Sequence, residues 1–72
     1  MDRADEIVLM QVRLVQLAVK TWNKSLQEIA GLFSANGVYG FIREMYEEFH
    51  VQGDAANLLE IGEFLKTKGI AV

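Results

Sequence analysis

The chain has 72 residues, of which 51% are hydrophobic and none is cysteine or proline, and its formal net charge is −3. A single domain of this size buries only roughly 60% of its unfolded surface. The composition excludes a disulfide framework and thiol chemistry and leaves apolar material near the surface, which favours a dimer or a protein partner. The charge is uneven. Residues 1–37 balance Arg3, Arg13, Lys20 and Lys24 against Asp2, Asp5, Glu6 and Glu28. Residues 38–72 set Arg43, Lys66 and Lys68 against Glu44, Glu47, Glu48, Asp54, Glu60 and Glu63, so the whole excess is C-terminal.

The start, "MDRADE", is acidic and polar, unlike a signal or transit peptide. The longest apolar run, "IVLM", falls far short of the roughly 20 residues a membrane helix needs. The expectation is a cytoplasmic protein without a membrane association.

Helical periodicity predicts an all-α domain of four short helices, over about 5–22, 25–36, 38–51 and 54–68. Helix 1 carries carboxylates at its start, where the helix dipole favours them. Ile7, Met10, Leu14 and Leu17 form one stripe; Val8, Val12, Val15, Val19 and Trp22 form an adjacent one. Only Arg13, Gln16 and Lys20 make a polar strip, so this helix is expected to be covered on two sides, in part by a second copy. Helix 2 opens on Ser25 and Glu28, spaced as a capping box. Leu26, Ile29, Ala30 and Phe33 form its inner face, and Asn36-Gly37 ends it. Helix 3 turns Phe41, Ile42, Met45, Tyr46 and Phe49 to one side and stops before Gly53. Asp54 is the expected cap of helix 4, which buries Leu58, Ile61 and Leu65 and ends near Gly69. Gly31, Gly40 and Gly62 suggest close helix–helix approach. The tail Ile70 to Val72 is compatible with a docked, extended or partner-bound segment.

Helices 2 and 3 with their short glycine-containing turn have the outline of a helix-turn-helix. Tyr39 and Arg43 are the residues a DNA-reading helix would use here. The same helix carries Glu44, Glu47 and Glu48, whereas DNA affinity rests on lysine and arginine at the phosphates. Nucleic acid is therefore disfavoured, and a DNA-binding regulator is the alternative reading. Glu47 and His50 form an E-x-x-H pair of the type found in ferritin-like bundles. Completing a metal site would draw on Glu6 and Glu63, and one histidine must serve every catalytic role, so no catalytic residue, metal or cofactor is expected. His50 is read as a helix-end residue capping carbonyls, and Arg43 as pairing with Glu47.

The stretch "FIREMYEEFHVQGD" resembles a family of short bacterial proteins, the domain-of-unknown-function family numbered 3791, through Tyr46, His50, Gly53, Ile61, Lys68 and Gly69. The resemblance implies no defined activity. It implies a place beside an ADP-ribosyltransferase-like protein, as an antitoxin or accessory partner. The run after Gly53, "DAANLL", is more helical here than the extended segment associated with the family. The chain is accordingly expected to act as a non-catalytic protein-interaction module. The expected contact surface is Glu44, Tyr46, Glu47, Glu48 and His50 with Ile70 and Val72, directed at a basic protein partner.

Overall fold

The computed structural model describes residues 2–72, and all regular structure in them is helical. Five helices follow in order: α1 (Arg3–Trp22), α2 (Leu26–Ala35), α3 (Val38–Glu44), α4 (Tyr46–Phe49) and α5 (Asp54–Lys66). None is long and apolar enough to cross a membrane.

Short-range chemistry sets most of the boundaries. Asp2 caps α1 by accepting a bond from the Asp5 amide at 3.2 Å, so this helix begins two residues earlier than its periodicity suggests. Its far end closes on Asn23, whose φ of 54° is left-handed. At α2 the capping box forms in both directions: the Glu28 amide donates to Ser25 Oγ at 3.0 Å, and the Ser25 amide donates to Glu28 Oε1 at 3.1 Å. Gly37, at φ +71°, turns the chain into α3. After α5, Gly69 at φ +80° lets the Ile70 amide bond back to the Leu65 carbonyl at 3.0 Å. That closure settles the tail as a short irregular segment, with Ile70 half-buried against the core.

Four expectations about the elements are corrected. The helix foreseen over 38–51 is interrupted at Met45, where ψ is 7° and one carbonyl accepts from both the Glu48 and Phe49 amides. Its two halves face different neighbours. Phe41 of α3 stacks on Phe64 of α5, whereas Tyr46 of α4 reaches α1. Asp54 is not the cap of the last helix; Gly53 holds that position, and the Asp54 carboxylate bonds Arg13 Nε at 3.1 Å. Leu26 is 60% exposed because the buried face of α2 is Ile29 and Phe33, and the first turn lies beyond the core's edge. Nor do the helical glycines mark close approach. A Cβ on Gly31 or Gly40 would meet nothing within 4 Å, and one on Gly62 would make ordinary contact with Trp22 and Val72 at 3.8 Å.

The core runs through all five helices, with Leu14 and Ala18 of α1, Ile29 and Phe33 of α2, Val38 and Ile42 of α3, Phe49 of α4, and Ile61 and Leu65 of α5 fully buried. Phe33 lies edge-on to both Trp22 and Tyr39 and so joins α1, α2 and α3. Asn57 is the buried polar residue among these. Its Nδ2 donates to the Phe49 carbonyl at 2.9 Å, fastening the α4–α5 connection, while its Oδ1 has no partner. A lone buried acceptor costs free energy, and the connection it secures is the one that orients α4.

Candidate functional site

α4 is a single turn, held to α5 by the Asn57 bond and to α1 by its side chains. The Tyr46 hydroxyl donates to Glu6 Oε2 at 2.9 Å, and the Arg3 guanidinium lies 5.2 Å from the Tyr46 ring centroid. Arg3 also pairs with the Glu47 carboxylate. On the next turn the His50 imidazole stacks on Tyr46, with ring centroids 5.2 Å apart and planes 11° apart. His50 Nε2 stands 3.7 Å from Glu47 Oε2. The cluster thus holds two cationic or protonatable groups, two carboxylates and a phenol on the surface. The hydrogen bond to Glu6, followed by desolvation, pushes the Tyr46 phenol above its ordinary range.

Glu6, Tyr46 and His50 border a shallow cleft of about 340 Å³, lined also by Arg13 and Gln52 over a floor of Leu9, Met10 and Phe49. Such an arrangement fixes orientations and offers matched donors and acceptors. Among the described residues no group of three or more metal-ligating side chains gathers at one point. Glu6 lies beside Tyr46, whereas Glu63 lines a groove elsewhere.

The sequence-derived surface separates into two. Tyr46, Glu47 and His50 cluster at the N-terminal end of α1, with Glu44 and Glu48 exposed on the neighbouring helix turns. Ile70 and Val72 lie with Trp22 at the other end. Glu6 and Trp22 are sixteen residues apart on one helix, about 24 Å at the usual rise. Ile70, Val72, Leu17, Trp22, Leu58 and Leu59 border an apolar groove of about 570 Å³ there. Glu47 pairs with Arg3 and not with Arg43, and His50 spends its ring on Tyr46 instead of capping a carbonyl.

At the α2–α3 corner, Tyr39 is packed edge-on to Phe33, and its carbonyl receives Gln11 Nε2 at 3.0 Å. Arg43 is exposed in the last turn of α3, a helix of seven residues. Sequence reasoning missed Arg3 and Arg13 as parts of the site, and named Glu6 only as a possible metal ligand and not as the acceptor of Tyr46, since nothing local links positions forty residues apart. It also missed the groove, whose walls come from α1, α5 and the tail. An available signal was Tyr46 itself, an aromatic with a polar end in a helix otherwise flanked by carboxylates.

The fold and this surface define a small all-α module with a preorganised polar cluster at one end and an apolar groove at the other. The model of a family described as protein of unknown function, DUF3791, matches residues 10–68. The chain belongs to that family. No curated protein and no solved structure matches it.

Proposed function

We propose that the chain is a non-catalytic protein-binding module, antitoxin-like or accessory in role, and that its partner is a basic, ADP-ribosyltransferase-like protein encoded beside it. The observation that carries this reading is the pair Glu44 and Glu48. Both are exposed, Glu44 at the end of α3 and Glu48 on α4, and neither takes part in an ion pair among the described residues. Exposed carboxylates without an ion-pair partner are complemented by a cationic surface. Beside them the Tyr46–His50 stack supplies a rigid aromatic shelf, the residue chemistry that anchors many interfaces. Charge complementarity of this kind speeds encounter and selects the partner.

The DNA-reading alternative draws on the α2–α3 corner. There Tyr39 is held against Phe33, which leaves Arg43 as the exposed side chain of the two. That placement supports the protein reading.

Calorimetric titration against the purified neighbouring protein tests the proposal. Binding should weaken as salt rises, and Glu44→Lys with Glu48→Lys should reduce affinity by about tenfold or more, equivalent to about 1.4 kcal/mol. Binding that is absent, or indifferent to both reversals, overturns it.

A further inference from the structure

α1 is apolar on two sides, and the fold covers one of them. Ile7, Met10, Leu14 and Ala18 are buried, while Val8, Leu9 and Val12 remain 54%, 46% and 47% exposed. Val8 and Val12 are one turn apart and form an apolar strip, with Leu9 at its edge toward the Tyr46 cleft. The strip is already rigid. Glu6 is bonded by Tyr46, Gln11 donates to the Tyr39 carbonyl, and Arg13 donates to Asp54. An occupant would therefore meet a surface with little left to order, which lowers the entropic cost of docking.

The charges at the two ends of the strip indicate what covers it. Asp5 and Glu6 lie at its N-terminal end and Arg13 at its C-terminal end, all exposed. Only Nε of Arg13 is engaged by Asp54, so its terminal nitrogens are available to another carboxylate. A second copy laid parallel would set acid against acid and arginine against arginine. Laid antiparallel, it sets Arg13 of each copy beside Asp5 and Glu6 of the other, and the helix dipoles oppose favourably. Such a pairing is two-fold symmetric and self-complementary, the commonest arrangement of soluble dimers. We propose that α1 pairs antiparallel with α1 of a second copy, Val8 of each chain meeting Val12 of the other, with the acidic first turn against Arg13. The contact spans about two helical turns, so the dimer is concentration-dependent. It does not rest on the proposed function, because the strip and the Glu44–Glu48 pair involve different residues.

Sedimentation equilibrium of the full chain should give twice the 8.1 kDa mass as concentration rises. Val12→Glu should return the monomer mass with helical circular dichroism unchanged and the melting temperature of the dilute, monomeric parent chain. If that variant unfolds, Val12→Ser takes its place with the same expectation. Orientation is read by cross-linking, since the natural chain has no cysteine. An equimolar mixture of Val8→Cys and Val12→Cys proteins should oxidise mainly to the mixed 8–12 disulfide. A chain that stays monomeric at every concentration overturns the proposal. So does a dimer that survives substitution of Val12, or a predominance of 8–8 and 12–12 products.

Discussion

The Tyr46 hydroxyl is a single bond with a measurable consequence. Its acceptor is a carboxylate, and the bond exists only while the phenol keeps its proton. The Glu6 bond accordingly raises the Tyr46 ionisation above the ordinary 10.0. For a group whose folded value is raised, the stability it contributes is fully present below the unfolded value. It is lost as pH climbs through the folded one. The α1–α4 attachment should thus loosen only in alkali. Titrating phenolate absorbance in a Tyr39→Phe background isolates Tyr46. There, Glu6→Gln is expected to lower the midpoint toward the ordinary value while leaving helical content at neutral pH intact. An unchanged midpoint means that the bond to Glu6 is not what holds the proton.

At the scale of the helix, legibility follows sequence distance. The capping box needs only Ser25 and Glu28, three residues apart, and it forms as the spacing indicates. The Gly37 turn and the close after α5 are equally local. The interruption at Met45 is not local, because it reconciles Phe41 stacked on α5 with Tyr46 bonded to α1. Similarly, nothing near Asn57 in the sequence marks it for burial beneath the Phe49 carbonyl. Removing the cap with Ser25→Ala should cost about 1 kcal/mol, seen as a fall of roughly 4–8 °C in melting temperature for a domain of this size. The two bonds with Ser25, backbone first, hold the Glu28 carboxyl below its ordinary 4.5. Because that value is depressed, the contribution is present above 4.5 and fades as pH falls through the folded value. The cost of Glu28→Ala, which removes the carboxylate that the Ser25 amide bonds, should therefore shrink in acid, and a cost independent of pH between neutrality and pH 3 would contradict the pairing.

Across the whole molecule, the same composition that gives the core also limits it. The all-α class was legible because periodicity reports which residues are inside, and Leu58, Ile61 and Leu65 are buried as their spacing implies. The surface was less legible, because apolar residues left over from a small core look like core residues in sequence. Val8 and Val12 share a stripe with Val15, yet Val15 is 7% exposed and the other two about half. The separation of the Tyr46 cluster from the tail has the same origin, since a sequence lists both without the length of α1 between them.

A core this small concentrates stability in few side chains, and Phe33 is the clearest instance. It is fully buried and touches aromatic rings from α1 and α3 while belonging to α2. Truncating a buried phenylalanine to alanine costs about 3–5 kcal/mol through lost burial and the cavity left behind. A 72-residue domain is expected to hold about 4–11 kcal/mol in total. Phe33→Ala should therefore remove about a quarter or more of the folding free energy, with a proportionate fall in the urea midpoint and an unchanged slope. Leu59→Ala, at a side chain 74% exposed on the groove's edge, is the matched control and should shift that midpoint little. If the two variants melt alike, the convergence of α1, α2 and α3 on Phe33 is not the centre of the fold. If they differ as expected, the exposed residues of the groove are free of the demands of folding.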